Sequence, residues 1–326
     1  MSIDVQILNA LRSAAAGSVS GSELSQNLRV SRAAVWARIE ELRSLGYDIE
    51  ASPHHGYRLL SAPDVLHADD LVSRLGPTRV IGRDIRVFKS TVSTNDVVEK
   101  LARDGVKEGA VVFAESQTGG RGRLGRKWLS PARKGLWFSV LLRPNLPPLE
   151  STRITVASAT ALRRALHTHT GLEVEIKWPN DLLIHGRKTA GILTELSAEL
   201  DHIKYLIMGI GVDVNLSPAD FPAELRHQAT SLKAELGKPV FRPELAAAIL
   251  RELDHDYARI NAGRFADIAD EWEKHCSTIG RNVAIRVGDR RIRGRAEALG
   301  EEGALLLRTE HGHLERIVGG DVTIEK

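Results

Sequence analysis

Residues 117–128, Gln-Thr-Gly-Gly-Arg-Gly-Arg-Leu-Gly-Arg-Lys-Trp, constrain this chain more than any other stretch. Glycines stand at 119, 120, 122 and 125, cations at Arg121, Arg123, Arg126 and Lys127, and no acid interrupts them. Glycine lets a backbone approach a ligand closely and adopt positive φ. Arginine grips phosphate or carboxylate oxygens two at a time. The combination describes a mobile loop that closes on a polyanion; the alternative is a solvated basic loop that binds nothing. The spacing Gly120-x-Gly122-x-x-Gly125 also fits a dinucleotide fingerprint, which requires a helix opening on the last glycine. Trp128-Leu-Ser-Pro131 follows instead and opens no helix, so that reading fails. No Gly-x-x-x-x-Gly-Lys-Ser/Thr run occurs, which excludes a P-loop.

The length of 326 residues suits two or three domains. A net charge of +3 excludes a histone-like polycation. The single cysteine, Cys276, excludes an internal disulfide and fits a reducing cytoplasm. No apolar run approaches the ~18 residues that span a bilayer, and the first residues lack the cationic-then-apolar order of a signal peptide. No membrane association is expected. His167/His169 and His311/His313 have no third ligand nearby in sequence, so no metal site is expected from them.

Residues 1–62 read as a winged helix-turn-helix. Ile3, Ile7 and Leu11 share a helical face. A short segment, 22–30, precedes a strong helix over 31–45, with Ser31 as its N-cap and Val35, Ile39 and Leu42 as its core stripe. Gly46 stops it. The alternating segments 47–52 and 57–60 form a wing. The start of the second helix of such a motif enters the major groove, so Ser31, Arg32, Ala33 and Trp36 are expected to face DNA. Arg38, Arg43 and the wing residues His54, His55 and Arg58 are candidates for phosphate. Trp36 is equally able to pack against the wing. Six arginines in this segment are offset by Asp4, Glu23, Glu40, Glu41, Asp48 and Glu50. A module without net charge gains little from counterion release, so a protein-binding or purely structural element stays open.

Residues 66–276 mix strands and helices without strict alternation, which favours α+β over a doubly wound sheet. Strands are expected at 85–88, 110–115, 136–142, around 174–195 and at 205–215, and helices at 97–103, 151–170, 243–261 and 264–275. The hydroxyls of Ser90-Thr-Val-Ser-Thr94 stand at a helix N-terminus, where they cap or meet a polar ligand. Lys177-Trp-Pro-Asn-Asp181 puts a charged cluster at a sheet end, and Lys188 begins the next strand. Gly209 and Gly211 open a buried strand to close approach. Residues 278–326 hold five short strands separated by glycine turns, the pattern of a small SH3-like β-barrel.

Taken in order, Ser93-Thr-Asn95, the 117–128 loop, Lys177-Trp-Pro-Asn-Asp181, Arg187-Lys-Thr-Ala-Gly-Ile-Leu193 and Gly209-Ile-Gly-Val-Asp-Val-Asn215 resemble the marks of the biotin protein ligases. With the winged helix in front, the whole chain is similar to the bifunctional bacterial form, which also represses biotin operons. The resemblance implies a class II synthetase-like ligase core, with a terminal barrel that helps hold ATP or the acceptor. It implies that biotin and ATP, with Mg²⁺, form biotinyl-adenylate. Biotin then passes to a lysine of a biotin carboxyl carrier protein. It implies Lys188, Arg121 and Arg123 as the charges that act in catalysis. Ser93, Thr94, Gln117 and Gly120 would hold the ureido head. Trp128 would offer a face for adenine, with Asn180 and Asp181 near the nucleotide and Mg²⁺. Asn95 and Gly191 join the substrate-binding set. Operator DNA and a homodimer formed with biotinyl-adenylate are the other implied partners. Two positions depart from the family pattern: Gly119, where alanine is usual, and Asp213, where asparagine is frequent. A lipoate-type ligase and a ligand-sensing repressor without ligase activity are the rival readings.

Overall fold

In a computed structural model that describes residues 2–14, 17–52 and 55–325, the chain divides into two compact units. The first comprises Met1–Gly76 with Phe241–Ala247; the second comprises Pro77–Val240 with Ala248–Lys326.

The first unit opens with α1 (Ile3–Ser13), α2 (Gly21–Leu28) and α3 (Arg32–Ser44). Each starts at a serine whose hydroxyl accepts a backbone N–H of the first turn: Ser2 from Val5, Ser20 from Glu23, Ser31 from Ala34. That satisfies one of the donors a helix start leaves open. Arg29 closes α2 in the left-handed region, with φ 55°, making the tight turn into α3. Val35, Ile39 and Leu42 pack with Ile7, Leu8, Leu24 and Ile49, as the stripe required. The wing is an antiparallel pair, β1 (Asp48–Ser52) and β2 (Gly56–Ser61). Gly56 is needed there, because a Cβ would lie 2.2 Å from the Val19 carbonyl that its neighbour Tyr57 bonds. Pro53 and His54, the second a candidate for phosphate, lie outside the described residues.

A fourth helix, α4 (Ala68–Leu75), also belongs to this unit. Its Asp70, 1% exposed, pairs with Arg12 of α1 and Arg74. Arg242 is fully buried, its backbone N–H and Nε donating to Asp64 at 3.0 and 3.2 Å, which ties residues 241–247 to the same unit.

The second unit is built on β3 (Asp84–Phe88), α5 (Thr94–Arg103), β4 (Ala110–Ala114), β5 (Gly135–Leu142), α6 (Thr152–Thr170), β6 (Glu175–Lys177), β7 (Asp181–Ile184), β8 (Arg187–Ala198) and β9 (Ile203–Asp213). Then come α7 (Leu232–Leu236), α8 (Arg242–Asn261), which enters this unit from Ala248 onward, and α9 (Phe265–Lys274). Seven strands form one mixed sheet in the order β3-β4-β5-β9-β8-β7-β6. Only β3 and β4 run parallel; the other pairs are antiparallel. All of β5 is buried, as its continuous apolar run demands. Helix α5 covers β4, β5 and β9, while α6 covers β6 to β8 and packs on α9. The expected α+β class holds.

The last five strands, β10 (Asn282–Val287), β11 (Arg290–Leu299), β12 (Leu305–Thr309), β13 (Leu314–Ile317) and β14 (Asp321–Ile324), form one antiparallel sheet in the order β13-β12-β11-β10-β14. This corrects the expected barrel: β13 and β14 stay at opposite edges, so the sheet is open. Each has only four residues, which gives closure little hydrogen bonding to work with.

Asp254 of α8 fastens the start of the sheet. Its carboxylate accepts the N–H groups of Arg79, Val80 and Ile81 at 2.7, 2.7 and 2.8 Å, and the residue is 6% exposed. Removing it takes the acceptor from three N–H groups, of which the one on Ile81 is buried. Asp254→Ala is expected to lower the stability of this unit by about 3 kcal/mol, read as a shift of its urea unfolding midpoint. A loss below ~1 kcal/mol would show that the three N–H groups find other partners.

Candidate functional site

Strand β9 is bare where the site lies. A Cβ on Gly209 would stand 2.3 Å from Asn95 Oδ1, and one on Gly211 would stand 2.4 Å from Trp128 Cε2. Two side chains from elsewhere therefore lie directly on the sheet. Above them opens a cavity of about 940 Å³, lined from the central sheet, the 117–128 loop, residues 221–229 and the C-terminal sheet. Of the expected set, Ser93, Thr94, Asn95, Gln117, Arg121, Arg123, Trp128, Asn180, Asp181, Lys188 and Gly191 line it. Gly120 packs behind, where a Cβ would meet the Trp128 carbonyl at 2.5 Å, so its role is to let the loop fold on itself.

One end of the cavity is a chain of hydrogen bonds. Ser93 takes the N-cap position of α5, yet its side chain caps nothing. Instead the N–H and hydroxyl of Thr94 donate to Gln117 Oε1 at 2.8 and 3.1 Å. Gln117 Nε2 donates to Ser130 at 2.9 Å. The Thr94 hydroxyl also meets Ser139 Oγ at 2.7 Å, and Ser139 donates to Asn95 Oδ1 at 2.5 Å. Asn95 Nδ2 donates to Glu195 at 2.7 Å. Ser93, Thr94 and Asn95 are buried at 3%, 3% and 4% exposure, so these donors and acceptors suit a small polar head group sunk in the sheet.

The other end is cationic. Lys188 is fixed by its backbone, with its N–H given to Gln228 and its carbonyl taken by Thr230, both at 2.8 Å. Its ammonium lies 2.6 Å from Asp181 Oδ1 and 5.1 Å from the centre of the Trp128 ring. Asn180 anchors on the Ile192 carbonyl at 2.7 Å and accepts from Arg123 Nη1 at 3.2 Å. Arg123 also reaches the Gly320 carbonyl at 3.4 Å, and Arg126 pairs with Asp321. Burial pulls Arg123 below its usual proton affinity, while Asp181 and Asp321 oppose that shift. Such an array stabilises a phosphate that gains negative charge.

Arg121, expected to hold phosphate, is paired with two carboxylates. Its guanidinium is held by Glu195, with Nε and Nη2 donating at 3.0 and 3.1 Å, and by Asp96 at 2.6 Å from Nη1. The Glu195 hydrogen bond, ahead of Asp96, raises its pKa against the effect of burial. Glu195 lies outside the set expected from sequence; its only local signal is a carboxylate at the end of an apolar strand run. Also outside that set are Arg286, Arg291 and Asp321, which the C-terminal sheet brings to the cavity wall.

Asp213 lines the same cavity at 5% exposure. Burial drives its carboxyl well above the usual range, and Lys188 counteracts this only in part. Asparagine, frequent here in the family pattern, is the neutral isostere of this carboxyl. Gly119 is the other departure; a methyl there would press only on the exposed side chain of Val92, at 2.8 Å.

In the first unit Ser31, Arg32, Ala33 and Trp36 are exposed on α3, and Trp36 is 57% exposed rather than packed on the wing. Arg38 is paired with Glu41 at 2.5 Å and Asp4 at 3.8 Å. Arg43 donates to the Ile49 carbonyl at 2.9 Å and to Glu40 at 2.6 Å. Arg58 lies 3.6 Å from Glu50.

Comparison with known proteins follows this division. Residues 87–213 match the Biotin/lipoate A/B protein ligase family, residues 5–58 an HTH domain, and residues 278–324 the Biotin protein ligase C terminal domain. The chain is 38% identical to the Bifunctional ligase/repressor BirA of Bacillus subtilis, over 94% of this chain and 94% of that protein. It is 31% identical to the protein of the same description from Escherichia coli K12, over 94% and 92%. The biotin protein ligase from Aquifex aeolicus in complex with biotin and ATP superposes with a TM-score of 0.64 at 31% identity, covering 75% of this chain and 99% of that one.

Asp213 generates a pH-dependent expectation. Its carboxyl binds a proton more tightly in the folded chain than in the unfolded one. The folded state is therefore favoured at low pH, and this contribution is lost as pH rises from the ordinary carboxylate range through the raised folded value. The slope of the loss is about 1.4 kcal/mol per pH unit. Asp213→Asn, which mimics the protonated form, should gain stability over the parent as pH increases through that window. Parallel urea titrations at several pH values read the difference; a gap that does not change with pH would mean that Asp213 folds ionised.

Proposed function

The chain belongs to the family of bifunctional biotin protein ligases and repressors, and from that premise we propose that it joins biotin to ATP, passes the biotinyl group to a carrier-protein lysine, and represses transcription of biotin-synthesis genes. The observation that carries the reading is the pairing, in one cavity, of a buried neutral polar end with a cationic end around Lys188 and Arg123. A ureido ring fits the first and a phosphate the second.

The chemistry proceeds in two displacements. A biotin carboxylate oxygen attacks the α-phosphorus of ATP, and pyrophosphate leaves with the electrons of the broken P–O bond. The neutral amine of the acceptor lysine then attacks the acyl carbon of the mixed anhydride, AMP leaves, and the nitrogen loses its proton. Neither step needs a nucleophile from the enzyme. Both need alignment, and cations where charge builds up. We assign that charge to Lys188 and Arg123. Lys188 has the support of a rigid backbone and of Asp181, which holds its ammonium at the cavity wall until substrate oxygens compete for it. Arg121, engaged by two carboxylates, suits the shaping of the loop better than direct contact with phosphate. Thr94, Asn95, Gln117 and Ser93 are the groups for the ureido head, with Trp128 and Gly191 beside the adenylate. Among the described residues no three His, Cys, Asp or Glu cluster to hold a metal. Mg²⁺ commonly binds through one or two protein oxygens and the phosphates of its substrate, and Asn180 with Asp181 fits that mode. The ion, when bound, neutralises phosphate charge.

The DNA-binding half rests on the exposed face of α3. A winged helix of zero net charge binds weakly as a single copy, and two copies on adjacent half-sites raise its affinity. We therefore infer a homodimer, formed when biotinyl-adenylate orders the 117–128 loop and removes the entropic penalty of an interface that includes it. Coupling of this kind is typically ~1–3 kcal/mol and acts in both directions. The cytoplasm is where ATP, carrier protein and operator meet this chain. No helix among the described residues is long and apolar enough to cross a membrane.

Biotin-dependent exchange of labelled pyrophosphate into ATP tests the ligase. It should proceed with biotin and not with lipoate. Lys188→Ala should slow it by roughly 100-fold or more, the effect of losing one preorganised donor; a rate within about threefold of the parent would remove Lys188 from the reaction. Promoter footprinting tests the repressor. Biotin with ATP should strengthen protection, with a steep dependence on protein concentration, and Arg32→Ala should weaken it about tenfold while exchange continues. Equal protection with and without the substrates would leave the winged helix uncoupled from ligation.

A further inference from the structure

Glu195 takes no part in the chemistry above, yet it touches both the polar end of the cavity and the loop. Its Oε2 accepts from Asn95 Nδ2 at 2.7 Å and from Arg121 Nη2 at 3.1 Å; its Oε1 accepts from Arg121 Nε at 3.0 Å. Asn95 leads through Ser139 to Thr94, and Thr94 leads to Gln117, where the loop begins. The side-chain path thus leaves the loop at Gln117 and returns to it at Arg121. The backbone from 117 to 121 closes the ring.

We propose that Glu195 is a positioning residue that staples the base of the 117–128 loop to the head-group pocket, so that the loop and Asn95 hold their geometry together. The proposal rests on the ligase reading for its enzymatic consequences. Three features set Glu195 apart from a casual ion pair. Its contact with Arg121 is bidentate and charge-assisted, the stronger class of hydrogen bond. One of its oxygens also serves Asn95, which is 4% exposed and has no room to retreat, because it lies against the bare Gly209. Asp96, on the first turn of α5 with Thr94 and Asn95, holds the remaining arm of the same guanidinium. Beyond Arg121 the loop is tied differently, by Arg123 to Asn180 and by Arg126 to Asp321. The staple therefore fixes the near part of the loop, and these two contacts hold the far part. Glu195 and Arg121 are each about one-third exposed, at 35% and 33%, so solvent weakens the pair and the expected effects are moderate.

The test uses the full chain and three variants. Glu195→Gln should raise the KM for biotin and the release rate of biotinyl-adenylate about tenfold each, the equivalent of one charge-assisted hydrogen bond, with kcat changed several-fold less. Arg121→Gln should do the same, and the double variant should be no worse than the poorer single one, because either change already opens the ring. Arg121→Lys keeps the charge and loses the bidentate contact, so it too should speed adenylate release; it serves if a glutamine variant does not fold. Hydrogen exchange of residues 118–122 without substrates should be faster in every variant, a readout that needs no catalysis. Multiplying effects in the double variant, or unchanged exchange at 118–122, would overturn the staple. Failure of the parent chain to form biotinyl-adenylate would instead overturn the ligase reading, and loop exchange alone would then decide the staple.

Discussion

On β9, Gly209 and Gly211 leave uncovered the two places where Asn95 and Trp128 lie down, and the rest of the site is assembled on that absence. A methyl at 211 would enter the indole; one at 209 would enter the carboxamide. Asn95 connects the N-terminus of α5 to β5 and β8, and Trp128 seats the end of the loop beside Lys188. Glycine in a strand weakens it, and here the flanking β5 and β8, both long and well paired with β9, compensate.

Electrostatic pairing then decides which cations are available. Lys188 faces Asp181, Arg126 faces Asp321, and Arg121 is enclosed by Asp96 and Glu195. Arg123 instead has, among the described residues, neutral acceptors within hydrogen-bond range, the Asn180 amide and the Gly320 carbonyl. A cation bound to a neutral partner gives up less when a phosphate arrives than one bound to a carboxylate. The cations that read alike in sequence are therefore graded by partner, Arg121 between two carboxylates and Arg123 against neutral oxygens.

Local chemistry made much of this legible. Ser31 caps α3 because a serine before an apolar stripe does so, and the glycine-arginine run is a loop because neither regular structure suits it. The mixed sheet followed from apolar runs of strand length. What sequence did not reveal is contact between distant positions. Arg121 and Glu195 are 74 residues apart and Arg126 and Asp321 are 195 apart; only the order β5-β9-β8 and the docking of the last sheet within the second unit bring them together. The open C-terminal sheet has the same cause, since closure depends on two edge strands that no local signal pairs. In the winged helix, Arg38 and Arg43 pair with acids at one turn's distance, Glu41 and Glu40.

The central claim is that this cavity makes and keeps a mixed anhydride of biotin and adenylate. Native mass spectrometry after incubation with biotin, ATP and Mg²⁺, followed by removal of free small molecules, tests it most directly. The account predicts one biotinyl-5'-AMP retained per chain, and its disappearance with transfer of biotin when a carrier domain is added. A chain that retains only ATP or biotin, or that forms the adenylate with lipoate instead, would contradict it.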